Sequence, residues 1–222
     1  MIHGHIAIPL FAGVLVLAPP SNAQDQATIR SVVDVLRRGH VSGSLEYRGR
    51  CGDEDEHVTR GLTAAVVPAS DAVPPLQILR EMFRKDEGID ITQELDGTIR
   101  ITERAADRDL LSVKIEHLSF DDQRKKDGAL FSSSPPAVLS FITEAPAVRR
   151  FMKDHSITRA PKLINEPTTP EPHISGELNN VTLAQALDYL AKTFGGLWVY
   201  KECPGNKASK RIVDLRFYRY WE

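Results

Sequence analysis

The chain has 222 residues, with 28 basic against 30 acidic side chains and a net charge of −2 when histidine is neutral. A balance this close to neutral argues against nucleic acid as the main partner, because phosphate binding draws on clustered positive charge. The length is enough for one large or two small domains.

Residues 6–18 form an uncharged apolar run broken only by Pro9 and Gly13. It is too short to span a bilayer as a helix, which takes about 20 residues. Pro19 and Pro20 follow, with Ser21 and Ala23 in the small-residue positions of a signal-peptidase site. Residues 1–23 therefore read as a cleavable signal peptide, with cleavage before Gln24. Its n-region carries only the α-amine, His3 and His5. The expected compartment is the periplasm of a Gram-negative bacterium or the exterior, with no membrane span after cleavage. In that oxidising setting the two cysteines, Cys51 and Cys203, are expected to form one disulfide. Closing so long a loop is worth about 4–5 kcal/mol in the chain-entropy model.

Thr28 is placed to cap a helix whose Ile29, Val32, Val33 and Leu36 make an apolar stripe, ending at Arg37-Arg38-Gly39. Residues 41–47 read as a strand. From 49 to 73 the chain is rich in glycine, charge and small residues, including the acidic cluster from Asp53 to His57, and reads as loop with a strand near 62–67. Pro74-Pro75 opens a helix with Leu76, Leu79, Met82 and Phe83 on its apolar face and Gly88 as its left-handed stop. Two alternating strands, Ile89/Ile91 and Ile99/Ile101, flank Asp96-Gly97, a strong hairpin signal. A strand over 111–120, a charged loop over 121–128 and two proline-initiated helices at Ser134 and Pro146 follow. Residues 160–172 hold four prolines and no periodicity, the mark of a linker. The C-terminal segment reads as a strand (174–178), a Thr182-capped helix stopped by Gly195-Gly196, a strand (197–200) and a closing strand. In the last of these Val213, Leu215, Phe217 and Trp221 share one face, leaving Asp214, Arg216, Tyr218 and Tyr220 on a wet one.

The two halves echo each other. Leu79, Met82, Gly88, Ile89 and Ile91 match Leu187, Leu190, Gly196, Leu197 and Val199 at an offset of 108, and residues 41–45 resemble residues 174–178. The expected organisation is α+β: two small modules of short helices on small mixed or antiparallel sheets. The first spans 24–159, the linker 160–172, and the second 173–222. In the second, Val181-Thr182-Leu183, the run from Ala186 to Leu190, Gly195-Gly196 and Trp198 resemble the secretin and TonB N-terminal short domain. The helix and hairpin of the first module are a fainter match. The resemblance implies protein–protein contact in the cell envelope, with no catalytic residues to carry over.

Nothing in the sequence assembles a catalytic centre, a cofactor site or a metal site. His40, His57, His117, His155 and His173 never pair at i, i+3 or i+4. Walker, dinucleotide-glycine and Gly-x-Ser-x-Gly patterns are absent, and Ser132-Ser133-Ser134 before two prolines reads as a helix cap. The expected function is binding of an envelope protein partner by strand addition, through the closing strand with Arg216, Tyr218, Tyr220 and Trp221. The alternative is a secreted hydrolase or ligand-binding protein with a carboxylate-lined pocket between the modules.

Overall fold

A computed structural model describes residues 21–49, 62–67, 72–128, 132–160, 172–203 and 211–220. The helices are α1 (Ser21–Arg38), α2 (Pro75–Met82), α3 (Phe120–Asp127), α4 (Pro135–Thr143), α5 (Pro146–Asp154) and α6 (Leu183–Phe194). The strands are β1 (Gly43–Arg48), β2 (Ile89–Gln93), β3 (Ile99–Glu103), β4 (Lys114–Ser119), β5 (Ile157–Arg159), β6 (Glu177–Thr182), β7 (Gly196–Cys203) and β8 (Arg211–Arg219). Local chemistry sets several boundaries. Proline stands in the first turn of α2, α4 and α5, where its missing N–H costs nothing. Ser134 Oγ accepts from the Ala137 N–H at the start of α4. At α6, Thr182 accepts from the Gln185 N–H while the Gln185 side chain accepts from the Thr182 N–H, a complete capping box. Gly97, at φ +87°, turns the β2–β3 hairpin, a conformation that glycine adopts at no steric cost.

Six strands form one mixed sheet in the order β2-β3-β1-β7-β8-β5, and β4 and β6 form a separate antiparallel pair. The fold is thus a mixture of short helices with mixed and antiparallel sheets, as expected. The strands of the two halves are not separate, however. β1 lies parallel to β3 on one side and parallel to β7 on the other, so that Leu45 pairs with both Ile101 and Val199. One hydrogen-bonded sheet therefore runs through both expected modules.

Each face of that sheet carries its own core. On one face, α1 and α2 pack Ile29, Val32, Leu36, Leu79 and Met82 over Leu45, Ile99, Ile101, Leu197 and Val199. On the other, α4 and α6 pack Val138, Leu139, Ile142, Leu187 and Leu190 over Trp198, Tyr200, Val213 and Leu215. All eight residues of β7 are buried, as expected of a strand covered on both sides.

The two hairpins have similar surroundings in the sheet and differ in detail. A hairpin flanked by a strand parallel to its second member occurs twice, as β2-β3-β1 and as β7-β8-β5. The counterpart of β1 is thus β5, and the strand expected at 174–178 lies further on, as β6, and pairs with β4 instead. The offset of 108 holds through the helices and fails in the strand. Ile89 and Ile91 face α2, whereas Leu197 and Val199 face away from α6 and Trp198 and Tyr200 face it. The second unit is turned face-over relative to the first.

Other expectations are corrected by the fold. Thr28 is no cap: α1 begins at Ser21, and the Thr28 hydroxyl donates to the Leu62 carbonyl from within the helix. Residues 62–67 are not a strand, although Leu62 is buried against α1. Residues 121–127, expected in a charged turn or loop, belong to α3, which Ser119 caps and Gly128 ends. The α2 helix stops at Met82, before Gly88 is reached. The described residues hold one cysteine, Cys203, which is buried at the end of β7 and disulfide-bonded. Cys51 lies outside the described residues, as do residues 1–20, the cluster from Asp53 to His57 and 161–171 of the proline-rich segment. The end of β7 is also held by its ladder with β8, down to Cys203 opposite Ile212.

The β7–β8 contact is close enough to require glycine at its start. A Cβ on Gly196 would lie 2.4 Å from Phe217 Cζ and 2.5 Å from the Tyr218 carbonyl oxygen. The ring can move but the paired backbone cannot. Gly196→Ala is expected to destabilise the fold by about 1–3 kcal/mol, read as a lower urea midpoint. An unchanged midpoint would show that the β7–β8 pairing is looser than this geometry.

Candidate functional site

The sheet face under α6 carries a band of ionic side chains that strand alternation alone would place in water. Glu46 on β1 is fully buried and receives Arg100 of β3 at 2.9 Å and Arg108 on its other oxygen. Arg100 reaches across to Asp188 of α6 at 2.8 Å, and the second oxygen of Asp188 accepts from Trp198 Nε1 at 2.8 Å. Burial works against the Arg100 charge, but the carboxylates of Asp188 and Glu46 outweigh it and hold the guanidinium above its ordinary pKa. A second cluster adjoins this one. Arg211 pairs with Asp107 at 2.7 Å and with Glu202 at 3.2 Å, and the Tyr200 hydroxyl donates to the Asp107 carbonyl at 3.0 Å. Burial pushes the Tyr200 phenol up to about 12.

On the opposite face, Asp25 of α1 is buried. It accepts from Lys201 Nζ at 3.1 Å, the Tyr47 hydroxyl at 3.2 Å and the Leu62 N–H at 2.8 Å. Burial, then the nearby Asp25 carboxylate, drives the Tyr47 phenol far up. Asp25 stands next to Gln24, so the first residues after the expected cleavage point are tied directly into the core.

The expected interaction surface is divided by the structure. Arg216 is exposed, and its Nε donates to Asp214 at 2.8 Å. Tyr218 is half-buried, with its hydroxyl near the Gln26 side chain. Tyr220, expected on the wet face, is instead buried beneath α1; its hydroxyl donates to the Val41 carbonyl, and burial raises its pKa. Both faces of β8 are covered there, which alternation could not reveal. Trp221 lies outside the described residues.

Two edges of the large sheet offer a longer run of unpaired backbone among the described residues than the three-residue β5 does. Tyr220 N–H donates to the Gly195 carbonyl, so even-numbered residues of β8 bond to β7 and odd-numbered ones point outward. β5 covers β8 only as far as Val213, leaving Leu215 and Phe217 without a neighbouring strand. At the other end of the sheet, Glu94 N–H to Thr98 O and Arg104 N–H to Gly88 O mark the even positions as those bonded to β3. The outer backbone groups of β2 are therefore those of Ile89, Ile91 and Gln93. The Arg80 guanidinium reaches the Ile91 carbonyl at 3.5 Å.

Reactive arrangements are sparse. Among the described residues no group of three His, Cys, Asp or Glu side chains could hold a metal ion. Ser132 Oγ lies 3.1 Å from His173 Nδ1, but the serine is fully buried and beyond a substrate's reach. A cavity of about 220 Å³ between the end of α1 and the start of α2 is lined by Val35, Arg38, Val73, Pro74 and Ile78 among others, with no carboxylate. It is not the carboxylate-lined cleft of the hydrolase alternative. Among the described residues no helix is long and apolar enough to cross a membrane. No family model, curated protein or solved structure matches the chain.

Sequence reasoning missed Glu46, Arg100, Asp188, Asp25 and Lys201. Glu46 and Arg100 alternate with the apolar residues of β1 and β3, a position that local pattern assigns to solvent, and only the second covered face removes them from it.

Removing Asp188 would leave the Trp198 N–H unpaired and Arg100 with one partner fewer. Asp188→Ala is expected to cost about 3 kcal/mol and Asp188→Asn less, since the amide oxygen still accepts from Trp198; equal stability of both variants and the parent would refute the network's role. A second expectation concerns alkali. The pKa values of Tyr47, Tyr200 and Tyr220 are raised in the fold, so the unfolded chain loses these protons first. Their contribution is intact below about pH 10, the free phenol value, and for Tyr200 it falls away between there and about 12. Phenolate absorbance should show Tyr47, Tyr200 and Tyr220 resisting ionisation past about pH 10 while the fold persists; ionisation of all three at that ordinary value in the folded chain would contradict the burial.

Proposed function

We propose that this chain is an exported, non-enzymatic protein-binding module that docks an envelope partner by adding a strand to its sheet. The observation that carries the reading is the pair of open edges, along β2 and along the outer half of β8. An unpaired edge offers backbone donors and acceptors in the register a partner strand needs. Beside the β8 edge stand Arg216 and Tyr218, which among the described residues of the sequence-derived surface reach solvent. The ionic bands do not compete with this reading, because their charges are consumed in holding strands and helices together.

The apolar run at 6–18 and the small residues before Gln24 support export. The resemblance of residues 174–200 to the secretin and TonB short domain supports an envelope partner. By that reading the β2–β3 and β7–β8 hairpins, each with its preceding helix, are two related binding units joined through β1.

Two measurements test the proposal. N-terminal sequencing of the product from cell fractions should find it outside the cytoplasm, starting at Gln24; an intact chain retained in the cytoplasm would overturn export. The tagged protein should capture a partner from envelope extract, and amide exchange on that complex should slow at Leu215 and Phe217 or at Ile91 and Gln93. Protection at neither edge would overturn strand addition. If β8 is the edge used, Tyr218→Ala should cut capture several-fold while leaving the melting temperature within about 2 °C.

A further inference from the structure

The molecule contains one worked example of strand addition to a hairpin edge. β7, the first strand of the second hairpin, receives β1 in parallel along six residues, from Gly43 opposite Leu197 to Arg48 opposite Glu202. The helix that precedes β7 is α6, and its charged side chains meet opposite charges carried by the neighbouring unit. Asp188 meets Arg100 at 2.8 Å, and Lys192 meets Asp96 at the β2–β3 turn. Backbone pairing at this seam thus comes with charge matching from the helix above it.

β2 is the first strand of the other hairpin and stands in the position of β7, with its outer edge open. The helix that precedes it is α2. Its buried Ile78, Leu79 and Met82 correspond to Ala186, Leu187 and Leu190 of α6, which puts Arg80 where α6 has Asp188. Arg80 is exposed, makes no ion pair among the described residues, and points its guanidinium at the outer carbonyl of Ile91. The other charges on this strand are already matched: Asp90 is held by both nitrogens of the Arg104 fork, at 2.6 and 2.8 Å.

From this pairing we infer that the β2 edge receives an extended partner strand in parallel orientation, and that this strand carries carboxylates to meet Arg80. The inference rests on the strand-addition reading and specifies its edge, direction and charge. A second copy of this chain is a poorer occupant: its β5 edge carries Arg159 as its one charged residue, and the one carboxylate on its β2 edge, Asp90, is already held by Arg104.

The test uses the full exported chain and two short fluorescent probes, one alternating valine with glutamate and the other valine with lysine. Anisotropy should show the glutamate probe binding several-fold more tightly, as expected when attraction to an exposed Arg80 replaces repulsion from it. Ile91→Pro removes an outward N–H without breaking a bond to β3 and should abolish binding. Arg80→Glu, on an exposed side chain, leaves the fold intact and should reverse the preference. A photocrosslinker in place of Leu95, at the far end of β2, should label the C-terminal half of the glutamate probe. Equal binding of the two probes, binding of neither, binding unaffected by Arg80→Glu, or labelling of the probe's N-terminal half would each overturn the inference. Exchange protection confined to Leu215 and Phe217 in the captured complex would also overturn it, while leaving strand addition itself standing.

Discussion

Everything in this structure leans on β1 lying between β3 and β7. Among the described residues it is the only strand of the N-terminal half that touches the C-terminal hairpin in the sheet, and it touches it along its whole length. Parallel pairing of strands so distant in sequence recovers its loop-closure cost only when the surrounding packing is complete. Here that packing is supplied on both faces, by α1 and α2 below and by α4 and α6 above. Gly43 at the start of β1 admits the approach: a Cβ there would lie 2.8 Å from Leu36 and 2.9 Å from the Ile99 carbonyl.

The same junction explains the buried charge. Once α6 covers the face of β1 that local alternation would leave wet, Glu46 cannot be solvated and must be paired. Arg100 and Arg108 pair it, and Asp188 returns Arg100 to the helix. Such networks add little net stability over an apolar core, but they penalise any register in which a partner is missing. A sheet assembled from two similar units has many near-equivalent registers, and a one-residue slip of β1 would strand Glu46 in the opposite core. The ionic band is well suited to discriminating against that slip.

The face-over relation of the two units also sets where binding can occur. Successive units meet edge to edge through different strands, so the arrangement does not close on itself. An open edge is left at β2, and the short β5 leaves most of β8 uncovered. These edges are consequences of the architecture, and the residues beside them, Arg80 at one and Arg216 with Tyr218 at the other, decide which partners they admit.

The sequence by itself determined the elements whose signals are local. The Asp96-Gly97 hairpin, the proline-opened helices, the Thr182 capping box and the glycine stop of α6 are each written within a few residues, because capping and turn geometry depend on nearest neighbours. It also conveyed that a strand–helix–hairpin pattern occurs twice. Only the tertiary structure decided that the two patterns share one sheet, that β5 and not the segment at 174–178 completes the second, and that Tyr220 and Glu46 are buried while Arg216 stays in water. Alternation along a strand records two faces but not which of them another part of the chain will cover. That depends on the pairing of β1 with β7, across some 150 residues, and no local pattern encodes it.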